Sequence, residues 1–295
     1  MKALRIFPFL LTILLAAGAC DIIEAPYLDE VTSLSADEQC LADAAQSVPF
    51  GPSTTYEKKV LLEEMTGHKC GNCPEASAKV HDLVGEKQGK LILVTIHAGS
   101  LSTYTQGASK YSTNFTTPAG VEIYNTMNNT SAVPFGMIDR VDMNNNFNSW
   151  ATYVDERLQE PASAGLRIFN CYDPDSLKLT TVVDIKYLTD APADEYLSVF
   201  LIEDGIVDWQ KDYKATGSSP DLPDYVHHNV LRDAINGTWG QPVSATAISK
   251  DARFTLSYSY FLKPEFDATK CSVVAFIHNR TSNEVRQVEI LPLVQ

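Results

Sequence analysis

The sequence predicts an α/β segment followed by an all-β segment, exported from the cytoplasm and held at a membrane. Three observations carry this prediction. A strand–helix–strand pattern runs from residue 59 to residue 97, short β-branched or alternating runs dominate after Pro161, and the chain begins with an export signal. With 44% hydrophobic residues the chain has enough apolar material for packed cores, while its net charge of −14 disfavours nucleic acid as a partner.

The first twenty residues form a membrane-targeting segment. Lys2 and Arg5 precede an apolar run over 6–17, and small residues then lead to Cys20. A cationic start, a short apolar core and small residues before a cut site are typical of a cleaved export signal, here residues 1–19. Small residues directly before a cysteine resemble a bacterial lipobox, in which the Cys20 thiol is acylated and anchors the protein. The alternative is a plain signal peptide that has a cysteine at this position by chance.

Residues 20–56 predict a flexible tether that follows the acylated cysteine. The stretch is acidic and is interrupted by Pro26, Pro49 and Pro52, which disfavours a packed core there. About 275 residues follow the signal, which is enough for one large or two ordinary domains. The sequence has no second apolar stretch of transmembrane length, so we expect an anchored protein that does not span the membrane.

Residues 57–160 predict an α/β domain. Residues 59–65 are predicted to form a strand, and the run 90–97 is nearly continuously apolar, as expected of a buried parallel strand. Between them a helix is predicted from Cys70, with Pro74 in its first turn, where proline costs little. Together these elements form a βαβ unit. The remaining predicted elements are a helix over 118–127, a strand over 131–139 and a helix over 148–159.

Residues 161–295 predict a β-sandwich domain. Turn residues such as Asp173-Pro174-Asp175 separate short runs of alternating or β-branched residues. Several short strands with turn signals between them indicate an antiparallel sandwich of immunoglobulin-like type. The predicted strands are 166–169, 177–187, 196–202, 254–260, 272–278 and 285–290.

The cysteines predict disulfides, which are stable outside the cytoplasm. Besides Cys20, the mature chain has Cys40, Cys70, Cys73, Cys171 and Cys271. Five thiols cannot all pair within one chain. The simplest account pairs Cys70 with Cys73 and Cys171 with Cys271, and leaves Cys40 over, although sequence alone does not fix connectivity.

The motif Cys70-Gly71-Asn72-Cys73 is the candidate reactive site of the sequence. Its spacing lets the two thiols close a small ring, and a helix N-terminus stabilises a thiolate. In a redox role Cys70 attacks and Cys73 resolves the mixed disulfide. Two alternatives stay open: a static structural disulfide, and a zinc site completed by His68 and His97, which an oxidising compartment disfavours. His68 and Lys69 either lower the pKa of Cys70 or are exposed loop residues.

The segment from Glu64 to Pro74 resembles the active-site segment of thioredoxin-like proteins. The Cys-x-x-Cys motif lies in a βαβ unit, Glu64 precedes Cys70 by six residues, and Val133-Pro134 opens a later strand. The resemblance implies that Glu64 is a buried carboxylate that moves protons and that Pro134 is a cis-proline beside the cysteines. A carboxylate at a strand end that faces water is the alternative for Glu64. His68-Lys69 replaces the usual aromatic residue before the first cysteine.

The chain as a whole is similar to the Omp-28 family of outer-membrane lipoproteins. The similarity rests on the lipobox, the acidic tether, residues 65–74 and the motif Val133-Pro134-Phe135-Gly136. Two tail motifs add to it, Asn229-Val230-Leu231-Arg232 and Asn236-Gly237-Thr238-Trp239-Gly240. The family resemblance implies an outer-membrane location and a surface role such as receptor or adhesin, with no established reaction.

Three functions follow from these features. The first is a lipid-anchored binding protein, attached through Cys20, that faces the periplasm or the cell surface and has an unidentified protein partner. The second is a tethered thiol-disulfide oxidoreductase that acts on exported proteins through Cys70, Cys73, Glu64 and Pro134. The third is an accessory subunit of an outer-membrane complex.

No cofactor or metal is predicted, since the sequence has no Gly-rich phosphate loop, nucleophilic serine motif or calcium loop. His227-His228 is predicted to be structural, because adjacent residues on a strand point to opposite faces.

Overall fold

The computed structural model describes residues 38–40, 42–43 and 56–294. The signal peptide predicted at 1–19, the lipidation site Cys20 and most of the tether predicted at 20–56 lie outside these residues. Residues 36–295 form one compact unit. The helices of the 56–294 segment are α1 (Cys73–Glu86), α2 (Pro118–Met127) and α3 (Trp150–Leu158). Its strands are β1 (Val60–Thr66), β2 (Leu91–His97), β3 (Phe135–Ile138), β4 (Asp142–Asn144), β5 (Ala164–Asp173), β6 (Lys178–Tyr187), β7 (Glu195–Glu203), β8 (Ile206–Lys211), β9 (Asp221–His227), β10 (Val230–Ala234), β11 (Gln241–Pro242), β12 (Arg253–Phe261), β13 (Cys271–Asn279) and β14 (Val285–Pro292). The fold is therefore β-rich with few helices.

The βαβ unit formed by β1, α1 and β2 lies at the centre of the fold. Every residue of both strands is buried, including Glu63 and Glu64 of β1, and the strands pair in parallel from Val60 opposite Leu91 to Thr66 opposite His97. Helix α1 covers one face of the pair through Ala76 and Val80, which join the core of β1 and β2. The chain therefore passes from the carboxyl end of β1 directly into the Cys-x-x-Cys turn and then into α1.

The largest sheet takes strands from both predicted domains. Its order is β14-β13-β7-β10-β2-β1-β3-β4, with β11 added beside β7. Strand β10 links the two parts, because Val230 pairs in parallel with Thr95 of β2 while its other edge pairs with β7. The segments 57–160 and 161–295 thus share one hydrogen-bonded sheet, so any division near residue 160 separates two parts of the chain and not two independent bodies.

A second sheet, of order β12-β6-β5, packs against strands β7 and β13 of the large sheet. Leu166 and Ile168 of β5 share a core with Val199 of β7 and Val273 of β13. The strands predicted after residue 161 are therefore present. Two of the longest, β7 and β13, belong to the same sheet as the βαβ unit, because β10 supplies the connecting edge.

The predicted Cys171–Cys271 disulfide is wrong. Cys171 is bonded to Cys40, with Cα atoms 5.8 Å apart, while Cys271 is a buried free thiol. The reason is the twofold alternation of strand β5. Leu166 and Ile168 face the core that contains Cys271, so Cys171 points to the opposite face, where it packs with Cys40 and Val182. Cys40, predicted to be unpaired in the tether, is thereby fastened to the folded body.

The described part of the chain contains no helix that is long and apolar enough to cross a membrane.

Candidate functional site

The Cys-x-x-Cys motif forms a disulfide between the end of β1 and the start of α1. The sulfurs of Cys70 and Cys73 are bonded and their Cα atoms are 5.4 Å apart. Helix α1 begins at Cys73, not at Cys70 as predicted, since Gly67 to Cys70 forms a turn in which the Cys70 amide donates to the Gly67 carbonyl at 2.9 Å. Cys70 therefore precedes the helix, and Cys73 with Pro74 forms its first turn.

A hairpin made by β8 and β9 covers this turn. The Lys211 amide donates to the His68 carbonyl and the Tyr213 amide donates to the Gly71 carbonyl, each at 2.8 Å. Gln210 Nε2 donates to the Cys70 carbonyl at 3.0 Å. These bonds hold the hairpin against the motif and leave Cys70 2% and Cys73 1% exposed.

Gly71 is required by this arrangement. The ring of Tyr213 lies over its Cα, so that a Cβ added at this position would meet the ring at 2.5 Å. The ring itself is 66% exposed and forms the outer surface of the hairpin above the disulfide.

Pro134 lies beside Cys70, as the resemblance implies. The Val133–Pro134 peptide bond is cis, and the Val133 carbonyl oxygen is 3.7 Å from the Cys70 sulfur. The position follows from sheet pairing, because β3 continues from Pro134 and runs antiparallel to β1, with Phe135 opposite Met65.

Glu64 is buried on β1, so the water-facing alternative for it is wrong. Ser77 Oγ of helix α1 donates to Glu64 Oε1 at 2.6 Å, whereas Oε2 has no hydrogen-bond partner among the described residues. Burial raises the pKa of Glu64 to about 7, although the Ser77 hydrogen bond acts in the opposite direction. The carboxyl group therefore exchanges its proton near neutral pH.

Glu64 and Cys73 line the same cavity, which has a volume of about 300 Å³. Its base also includes the imidazoles of His97 and His227, whose rings lie 5.4 Å apart. Both ring nitrogens of His97 and Nε2 of His227 lack partners within the part of the chain that the structure describes. Burial holds the pKa of His97 well below its usual value and lowers that of His227 to about 4, so both rings are neutral at pH 7.

The mouth of the cavity is formed by exposed residues of α1 and of the segment after β9. His81 stacks on His228 with ring centroids 4.4 Å apart, and His228 Nδ1 lies 2.9 Å from the Asp204 carboxylate. Asp82 of α1 lines the same rim and is exposed. Among the described residues of the lining, Asp82 thus supplies an acidic side chain at the mouth and Glu64 supplies one at the base.

His68 is not an exposed loop residue. Its Nε2 lies 2.9 Å from the Thr103 carbonyl, and its ring packs against Tyr111 and Phe115. Burial lowers the pKa of His68, so the neutral ring cannot act as a cation that stabilises a Cys70 thiolate. The Lys69 ammonium nitrogen lies 5.7 Å from the centroid of the Tyr111 ring. In the described ranges, no group of three or more His, Cys, Asp or Glu side chains is arranged to hold a metal ion.

The β8–β9 hairpin supplies two cavity residues that the sequence did not reveal, Gln210 and Tyr225, and one, His227, that was predicted to be structural. Gln210, Tyr225 and His227 all reach the cavity, although they lie about 140 residues or more after the motif. The pair His227-His228 does alternate in direction, but both residues line the cavity, one at its base and one at its mouth. The alternating run 206–211 followed by 221–227 was the available signal for a hairpin.

Comparisons with known proteins found a matching family model and several similar solved structures. The family model described as outer membrane protein Omp28 matches residues 122–292. Among solved structures, HBP35 of Porphyromonas gingivalis superposes with a TM-score of 0.62 at 15% identity, over 82% of this chain and 77% of that one. A protein of Agrobacterium tumefaciens gives a TM-score of 0.50 at 12% identity, over 82% of this chain and 97% of its own. A domain of the outer membrane lipoprotein Omp28 from Porphyromonas gingivalis is 22% identical over 45% of this chain and 88% of its own, with a TM-score of 0.29. No curated protein sequence matches significantly.

Proposed function

Because the chain belongs to the Omp28 family of outer membrane proteins, we propose that it is a lipid-anchored binding protein whose binding site lies beside the Cys70–Cys73 disulfide. The outer-membrane location follows from the family, as the resemblance predicted. The observation that supports a binding role is the covered disulfide with a cavity behind it. The site offers a shaped, partly polar cavity and keeps its sulfur atoms away from solvent.

Burial of the disulfide argues for binding over turnover. Thiol-disulfide exchange requires a thiolate to reach one sulfur atom in line with the S–S bond. In this fold Cys70 is closed off by the β8–β9 hairpin on one side and by the Val133 carbonyl on another. A protein thiol therefore reaches the disulfide only if the hairpin moves away. The small cavity beside Cys73 remains open to smaller molecules.

The architecture of the binding protein is proposed to be thioredoxin-like over 57–160 and immunoglobulin-like over 161–295, joined through β10. The β1-α1-β2 unit and the position of Val133-Pro134 beside Cys70 support the first part. The packing of the β12-β6-β5 sheet against β7 and β13 supports the second. Acylation of Cys20 supplies the anchor in this proposal, and mass spectrometry of the mature N-terminus tests it: an unmodified N-terminus contradicts the anchor.

Photo-crosslinking in intact cells tests the binding role. A photoreactive residue replaces Tyr213, which is 66% exposed above the disulfide, and in a matched control replaces Phe261, which is 65% exposed on β12. We expect a defined protein partner to crosslink at position 213 and not at position 261. Equal recovery of bulk lipoproteins from both positions contradicts a binding site on this surface.

One observation favours a second function, that of a thiol-disulfide oxidoreductase. Glu64, with its pKa of about 7, shares the cavity with Cys73 and is suited to accept the proton of the resolving thiol. In that role the Cys70 thiolate attacks a substrate disulfide and releases one substrate thiolate. The Cys73 thiolate then attacks Cys70 sulfur, which releases the second substrate thiol and restores the Cys70–Cys73 disulfide. Two electrons pass to the substrate, and an external dithiol must supply them for each cycle.

Insulin reduction by dithiothreitol, with the Cys70→Ser variant as control, separates the two functions. A binding protein gives the same rate of insulin reduction with and without Cys70. Multiple turnovers that require Cys70 and slow in Glu64→Gln establish the oxidoreductase instead.

A further inference from the structure

The base of the cavity presents more hydrogen-bond acceptors than donors. Glu64 Oε2 and His227 Nε2 have no partner in the described part of the protein. A backbone hydrogen bond to Trp209 uses the other ring nitrogen of His227 as donor, so its Nε2 carries a lone pair. His97 adds one acceptor and one donor, because a neutral imidazole has one of each. Buried acceptors without partners are costly unless a ligand or water supplies the missing donors.

The rest of the cavity limits the body of the ligand. Leu93, Pro74 and Ala78 form apolar wall, and the Tyr225 ring closes one side. The volume of about 300 Å³ lies at the lower end of the range for small-molecule sites. A ligand that fits has a small apolar body and a compact polar head.

The charges around the mouth select the sign of that head. Asp82 lines the rim, and Asp204 lies behind the stacked pair of His81 and His228. No lysine or arginine is among the described residues that line the cavity, although the charge of the nearby Arg232 contributes to lowering the pKa of His97. An anionic head therefore meets the Asp82 carboxylate at the rim and no cationic Lys or Arg side chain in the described lining, whereas a cationic head meets Asp82 and then Glu64, which is a carboxylate above its pKa of about 7.

We propose that this cavity binds a primary amine with a small apolar body, the ammonium group donating to Glu64 Oε2, His97 and His227 Nε2. The three donors of an ammonium group match these three acceptors. This inference deepens the proposed binding function and rests on it. The amine is either that of a free small molecule or that of a lysine side chain on a peptide.

Titration calorimetry on the full chain in detergent tests the proposal at pH 8, above the pKa of about 7 of Glu64, with both disulfides intact and with a metal chelator present. Benzylamine is the probe, with benzyl alcohol and benzoate as matched neutral and anionic molecules. We expect one benzylamine to bind per chain, at least tenfold more tightly than either of the other two. A blocked tripeptide with a central lysine shows whether a peptide amine is also accepted. Equal binding of benzylamine and benzyl alcohol, or tighter binding of benzoate, overturns the proposal.

Three variants locate the site. Glu64→Gln removes the carboxylate and is expected to weaken benzylamine binding at least tenfold. Ala78→Phe closes the mouth from an exposed position of α1 and is expected to abolish binding without loss of folding. Glu86→Gln changes an exposed carboxylate at the end of the same helix and is expected to leave affinity unchanged. Unchanged affinity in both Glu64→Gln and Ala78→Phe overturns the proposal.

Failure of the amine proposal and failure of the binding role give different experimental results. If no amine binds while the partner still crosslinks at position 213, the ligand class is wrong and the binding role stands. If insulin turns over in a Cys70-dependent manner, the binding role is replaced by the enzymatic one, whatever the outcome of the titration.

Discussion

Replacement of Glu64 by glutamine changes how the stability of the protein depends on pH. In the folded chain burial raises the pKa of Glu64 from its ordinary value of 4.5 to about 7. The folded state therefore holds this proton more tightly than the unfolded state. The contribution of Glu64 to stability is fully present below pH 4.5 and is lost as the pH rises from 4.5 through 7.

The size of this loss follows from the two pKa values. Each tenfold difference in proton affinity is worth about 1.4 kcal/mol, so the interval between 4.5 and about 7 corresponds to about 3 kcal/mol. Glutamine keeps an acceptor for the Ser77 hydroxyl and has no charge to bury. We therefore expect the free energy of unfolding of Glu64→Gln, relative to the parent protein, to increase by about 3 kcal/mol between pH 4 and pH 8.

Urea unfolding at a series of pH values, followed by circular dichroism with the disulfides intact, measures this difference. Other carboxylates titrate in both proteins, and the comparison removes their effect. The Glu86→Gln variant is the control, since its exposed side chain should give a difference that is nearly independent of pH. A flat difference for Glu64→Gln over the same range refutes the conclusion that Glu64 is buried and titrates near neutral pH.

Three further outcomes are expected. Tyr213→Ala removes the ring above Gly71 and should make reduction of the Cys70–Cys73 disulfide by dithiothreitol about tenfold faster. Alkylation and mass spectrometry measure the rate. A rate equal to that of Phe261→Ala contradicts the conclusion that the Tyr213 ring protects the disulfide. The Cys40–Cys171 disulfide joins residues 131 positions apart in sequence. Its loss in Cys171→Ser should lower the free energy of unfolding by about 4 kcal/mol. A non-reducing digest of the parent protein in which Cys171 is joined to Cys271 would disprove this pairing. Burial raises the pKa of the Cys271 thiol to about 12, so it should react with a maleimide only after denaturation; labelling of the native protein at this position contradicts its burial.

The sequence was sufficient for the parts of the fold that local patterns determine. The apolar run 90–97 predicted β2, the strand pattern of 59–65 predicted β1, and the motif between them placed the disulfide at the turn before α1. The start of α1 was misplaced by three residues, because residues 67–70 form a hydrogen-bonded turn that the helix pattern does not reveal.

Long-range pairing was beyond what these patterns determine. The partner of Cys171 depends on which face of β5 packs against the core. The alternation of Leu166 and Ile168 shows that Cys171 lies on the other face, but the residues packed on that face are known only from the tertiary structure. The hairpin that covers the disulfide lies about 140 residues after it, and the link through Val230 to β2 is a tertiary contact with no local signature. For the same reason Tyr225 was not singled out, and His227 was predicted to be structural although it lines the cavity.

The redox state of Cys70 and Cys73 in living cells tests the central claim most directly. Rapid acid quenching, alkylation of free thiols and mass spectrometry give the fraction of the pair that is disulfide, dithiol or mixed disulfide with another protein. A binding protein with a covered disulfide should show the closed Cys70–Cys73 bond in nearly every chain. A substantial dithiol fraction, or mixed disulfides between Cys70 and exported proteins, would contradict the account and establish an exchanging site.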